Sequence, residues 1–79
     1  MNKETLISKP YQHADNAFLD AQTVANELNE SFNIIYTSGI GYEVVTKDFI
    51  IDRNYYHGFG GKKMFFELFT TVNPESTIK

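Results

Sequence analysis

The chain has 79 residues, no cysteine and a net charge of −3, so one small domain is expected, without disulfides or thiolate zinc sites. The acidic balance argues against a general nucleic-acid binder, which carries a basic surface. No run approaches the ~20 apolar residues of a membrane span, and no apolar segment follows Lys3 as a secretory leader would require.

A soluble, cytoplasmic protein is therefore expected. It opens on Met1 with no linker or low-complexity segment after it, so the whole chain reads as a complete small protein. The core of so short a chain typically supplies only ~3–5 kcal/mol. With disulfides and zinc-thiolate sites absent, oligomerisation or a partner is the available supplement.

Residues 1–13 read as an irregular arm, interrupted by Pro10 and without a sustained period. The segment "DNAFLDAQTVANELNESF" then predicts a helix over 15–32. Ala17, Phe18, Ala21, Val24, Ala25, Leu28 and Phe32 recur at steps of three and four and share one face. Asp15 or Asn16 is suited to cap its start. On the opposite side Asn16, Asp20, Thr23, Glu27 and Glu30 form a stripe with three acids and no base. Such a stripe is commonly a solvated face, but it also suits docking onto a basic protein groove. The first 32 residues carry all of the net charge, and no lysine or arginine lies between Lys9 and Lys47.

From Asn33 the chain turns β-branched and aromatic. "NIIYTS" and "YEVVT" flank "GIG" and predict a hairpin. A turn near Lys47 and Asp48 leads to "DFIIDRNYY", and "HGFGGK" turns the chain into "KMFFELFTTV". The expected fold is α+β, with one N-terminal helix packed on a four-stranded antiparallel meander over 33–73. Residues 74–79 read as a tail begun by Pro74.

Nine of the twelve aromatic residues follow residue 32. Strict alternation in the last strand puts Met64, Phe66, Leu68, Thr70 and Val72 on one face, and Phe65, Glu67, Phe69 and Thr71 on the other. In the third strand Phe49, Ile51, Arg53 and Tyr55 alternate with Ile50, Asp52, Asn54 and Tyr56. Neither strand has a clean polar side. One helix shields one face, so the other is expected to expose a large apolar patch of the kind that marks an interface. Phe65 and Phe69 are placed on that exposed face, with Met64, Phe66 and Leu68 under the helix. The alternative is that the arm covers the second face through Leu6, Ile7 and Tyr11.

The segment "NYYHGFGGKKMFF" raises the question of base stacking by Tyr55, Tyr56 and Phe59, with Lys62 and Lys63 near phosphates. It loosely resembles the basic–glycine–aromatic pattern of an RNA-recognition-motif strand. That fold interleaves two helices with its strands, whereas here one helix precedes them all. Gly58, Gly60 and Gly61 are ordinary hairpin-loop chemistry.

Catalytic patterns are weak. His13 and Asp15 in "HAD", with His57 far along the chain, fall short of a metal-ligand set. Ser8, Ser31, Ser38 and Ser76 lack a nucleophile's surroundings. Asp48 and Asp52 lack a cleft in which a carboxylate pair works. "GIGYEV" and "GFGG" lack the strand–loop–helix setting of a phosphate cradle.

The sequence thus points to a small non-catalytic protein-binding module, an inhibitor or adaptor acting on a host macromolecular complex. A phage or mobile-element anti-defence protein, such as an anti-CRISPR, is one specific form of that expectation. The alternatives are a single-stranded nucleic-acid-binding module using Tyr55–Phe66, and a structural homo-oligomer. The expected partner is another protein or a second copy in a homodimer, with nucleic acid disfavoured and no membrane, cofactor or metal. The residues expected to carry binding are Phe65, Phe69, Tyr55, Tyr56, Phe59, Asp20, Glu27 and Glu30.

Overall fold

The computed structural model describes residues 2–7, 9–48, 55–57 and 59–75. It is α+β, with one main helix on an antiparallel sheet. In chain order the elements are α1 (Lys3–Ile7), α2 (Ala14–Leu28), β1 (Phe32–Thr37), β2 (Gly41–Thr46), β3 (Tyr55–His57), a 3₁₀ turn (Phe59–Gly61) and β4 (Lys63–Val72).

α2 forms where the three- and four-residue period demanded it, but it is shorter than expected at its far end. Asn29 takes a left-handed conformation (φ 55°, ψ 48°), and the Glu30 N–H donates to the Ala25 carbonyl at 3.1 Å. This is a Schellman-type closure with asparagine in place of glycine. Phe32, expected on the helix, is instead the first residue of β1. At the other end His13 occupies the cap position in extended conformation with no side-chain cap bond, and Asp15 lies inside the first turn. The buried stripe of α2 is Ala17, Ala21, Val24 and Ala25. These small side chains let the helix lie close on the sheet.

The arm is not irregular. It carries α1, and Leu6 and Tyr11 join α2, Phe32, Ile34, Val44 and Val72 in one core cluster. Burying each larger side chain of that cluster contributes roughly 1.5–3 kcal/mol. The arm therefore extends the helical layer over β2 and does not cover the second sheet face.

The expected hairpin forms, with Phe32 opposite Thr46 and Thr37 opposite Gly41. The meander does not. The strand order is β2-β1-β4-β3, so β1 lies between β2 and β4, and β2 and β3 lie apart. The main sheet is the antiparallel trio β2-β1-β4. β3 adds three residues beside the start of β4, pairing Tyr55 with Phe65 and His57 with Lys63. The expected face assignments for residues 49–54 lie outside the described residues.

The β1–β4 register contains a bulge. Ile34 pairs with Thr70 but Ile35 pairs with Leu68, which leaves Phe69 as the extra residue. A bulge places two residues of one strand against one of its neighbour and breaks the two-residue alternation. This reverses the face assignment for the N-terminal part of β4, as set out below.

The chain after β4 turns back onto α2. Gln22 Nε2 donates to the Asn73 carbonyl at 2.8 Å, Asn26 Nδ2 donates to Glu75 Oε1 at 2.9 Å and the Glu75 N–H donates to Asn26 Oδ1 at 2.8 Å. No helix among the described residues is long and apolar enough to cross a membrane.

Candidate functional site

Directly paired residues in an antiparallel sheet point to the same face. Tyr36 pairs with both Tyr42 and Glu67, so these three share a face. It is the α2 side, because the Phe32, Ile34 and Val44 positions of the same alternation lie in the helix-packed core. Thr37 pairs with Phe66 and Ile35 with Leu68, which puts Phe66 and Leu68 on the far face.

The expectation for β4 is thus inverted beyond the bulge. Met64, Phe66 and Leu68 were expected under the helix. Phe66 is buried, but on the far face beside Thr37, and Leu68 is about half exposed there. Phe65 and Phe69, expected to face away from the helix, lie on the helix side. Nor is the far face the bare apolar surface expected, since Ile35, Thr37 and Phe66 are all buried.

Apart from Leu68, the exposed large apolar side chains of the described strands, Tyr36, Phe65 and Phe69, lie on the helix-side face. Phe69 contacts the Tyr42 ring edge-on, with centroids 5.2 Å apart, and Tyr42 meets Tyr36 at 5.0 Å. Next to this aromatic row a groove of about 620 Å³ runs between α2 and β4, lined by Ala14, Asp15, Phe18, Leu19, Phe69 and Thr70. Phe18 is 43% exposed, Leu19 63% and Phe69 51%. A separate, smaller hollow of about 270 Å³ is lined by Tyr36, Ser38, Phe65, Phe66 and Glu67. Phe65 is 59% exposed.

The residues expected to carry binding separate into three groups. Phe65 and Phe69 belong to this surface. Tyr55 and Tyr56 lie in β3 and Phe59 in the 3₁₀ turn, at the outer edge of the sheet. Of the acidic stripe, Asp20 accepts a hydrogen bond from the Tyr11 phenol at 2.8 Å and Glu30 pairs with Lys3 at 2.6 Å. Glu27 is exposed, in a hollow it shares with Asn2, Lys3, Glu4, Val24 and Leu28. Two of the stripe's acids, Asp20 and Glu30, thus hold the arm.

The Tyr11 phenol is held above its ordinary pKa, first by burial and then by its hydrogen bond to Asp20 and that residue's negative charge. At the end of β2 the Thr46 hydroxyl donates to Asp48 at 2.6 Å. This bond holds the Asp48 carboxylate below its usual range.

Leu19, Tyr36 and Tyr42 were missed as candidate binding residues in the sequence. Leu19 breaks the helical period beside Phe18, and an out-of-phase leucine on an otherwise polar flank was the available signal. The tyrosines look like ordinary strand residues until β4 is placed beside β1.

Among the described residues no three His, Cys, Asp or Glu side chains gather where they could hold a metal ion. No family model, curated protein or solved structure matches this chain.

Proposed function

We propose that this protein is a non-catalytic binding module that docks another protein on the open part of its helix-side face. One observation carries the reading. Phe18, Leu19 and Phe69, three large apolar side chains from two different elements, each leave about two-fifths or more of their surface in water around a single groove. Scattered exposed apolar residues need no explanation, but a contiguous set around a concavity is the usual mark of an interface. The local acidity, with Asp15 at the groove and Glu67 on the same sheet face, supports a protein partner over a nucleic acid. An inhibitor or adaptor of a host complex is the form of this function proposed from the sequence, and a cytoplasmic site of action goes with it.

The test is affinity capture with the intact chain against the Leu19→Ser, Phe69→Ser double variant. The expected result is a protein retained by the native chain and lost by a double variant that still melts cooperatively. Identical retention by both chains would remove the groove as the binding surface. Sedimentation of the native chain covers the alternative of a homodimer.

A further inference from the structure

We propose that the groove between α2 and β4 takes an amphipathic helix of another protein, with leucine- or phenylalanine-type side chains on its docking ridge and lysine or arginine beside them. This deepens the protein-docking reading above and rests on it.

The shape argument comes from the layers. α2 and α1 form an incomplete helical layer on one face of the sheet. Beside the N-terminal half of α2, the β4 part of that face carries Phe69 and Thr70 as the floor of the groove, with Phe18 and Leu19 as its helical wall. A helix laid there would rest on the sheet and against α2 together, in the same layer, at the ~8–10 Å axial spacing of packed helices. Its ridge residues at steps of three and four would enter the groove, as in helix-in-groove recognition generally.

The charge argument selects the chemistry of that helix. Asp15 lines the groove, and Glu67 lies on the same face beside Tyr36. Both are exposed, and among the described residues neither makes an ion pair. Asp15 has a structural reason to be acidic, since the first turn of a helix favours a negative charge. Glu67 has none, because it stands in the middle of a strand on an otherwise aromatic surface. α2, β1 and β2 contain no lysine or arginine, and the one in β4, Lys63, begins the strand, six residues before Phe69 at the groove floor. The near field at the groove is therefore negative, and a partner carrying lysine or arginine beside its apolar ridge is electrostatically matched.

The same charges disfavour a second copy as occupant. A two-fold interface sets one patch on its own equivalent, which would bring Asp15 and Glu67 close to a second pair of the same acids, with Lys63 the one lysine or arginine in α2, β1, β2 and β4.

The experiment uses the full chain and two fluorescein-labelled synthetic helices. They share one leucine ridge, with lysine at the polar positions of one and glutamate at those of the other. In anisotropy titrations at low salt the lysine peptide should bind at least about tenfold more tightly than the glutamate peptide, with the gap shrinking as salt is raised. Glu67→Lys should reduce that preference by about fivefold or more. Leu19→Ser, at a site too exposed to threaten the fold, should weaken both peptides.

Equal affinity for the two peptides, with both lost in Leu19→Ser, would overturn the cationic occupant and leave the docking surface standing. Affinity for either peptide that is unchanged in Leu19→Ser would overturn both. Failure of the native chain to bind the lysine peptide would overturn the proposal. So would a native dimer, seen by sedimentation, that Leu19→Ser dissociates, because the occupant would then be a second copy.

Discussion

The backbones of Tyr11 and Tyr42 exchange two hydrogen bonds. The Tyr11 N–H donates to the Tyr42 carbonyl at 2.7 Å, and the Tyr42 N–H donates to the Tyr11 carbonyl at 2.8 Å. This single antiparallel bridge ties the arm to the outer edge of β2. An open strand edge is a template for unwanted pairing, and here the arm covers part of it. The bridge depends on Gly41, which has φ +116° and where an added Cβ would lie 2.5 Å from the Tyr11 carbonyl oxygen.

Gly41→Ala should therefore destabilise the protein by about 2–4 kcal/mol, the sum of a left-handed backbone penalty and a displaced arm. Gly39→Ala is the control. Its φ is +87° but nothing lies within 4 Å of the added carbon, so only the backbone penalty of ~1–2 kcal/mol applies. Urea unfolding of the two variants measures the difference. Equal losses would show that the arm does not press on Gly41.

Tyr11 predicts an alkaline limit to stability. Its phenol is held protonated in the fold by burial and by Asp20, whereas in the unfolded chain it ionises near pH ~10. The raised native value means that this contribution is complete below about pH 10 and declines as pH rises above it. Melting temperatures between neutral pH and pH ~11 should fall at the alkaline end. Tyr11→Phe should make that fall shallower, and an unchanged slope would show that another group sets it.

The acidic residues of α2 should separate by role. Asp20→Ala removes the acceptor of a part-buried phenol and should cost about 1–2 kcal/mol. Glu27→Ala, at an exposed position, should fall within about ±0.5 kcal/mol. The Lys3–Glu30 pair is more than a third exposed at each end, so breaking it should cost less than about 1 kcal/mol. Chemical denaturation of the three variants checks the order, and a Glu27 effect as large as that of Asp20 would contradict this assignment.

Adjacent phenylalanines in β4 give the sharpest contrast in stability. Phe66 is 5% exposed and Phe65 is 59% exposed. Phe66→Ala should cost about 3–5 kcal/mol and Phe65→Ala under about 1.5 kcal/mol. Calorimetry on the two variants checks this, because a β4 without the bulge would exchange the faces of Phe65 and Phe66 and with them the two effects.

How much of this was legible in the sequence differs from element to element. The three- and four-residue period determined a helix and the part of its buried stripe formed by Ala17, Ala21, Val24 and Ala25, because a 3.6-residue repeat is a local property, but Phe18 and Leu28 of the expected face stay exposed and Phe32 belongs to β1. The β1–β2 hairpin was equally local, since strand chemistry on both sides of "GIG" leaves few other ways to close the chain. The end of α2 was expected at residue 32 and falls at Leu28 instead, and the local signal for it was Asn29, which tolerates left-handed backbone. The short helix in the arm had no such signal, because five residues do not sustain a period and its Leu6 is held by the core. The pairing of β1 with β4 was not legible, because which strands meet depends on how separate pieces bury their faces together. The bulge at Phe69 followed from that pairing, and it alone reversed the sides of Phe65, Phe66, Leu68 and Phe69. The sequence by itself showed that there were too many large apolar side chains for one helix to cover. Only the tertiary structure decided which of them remained in water, because exposure is set by neighbours that are distant along the chain.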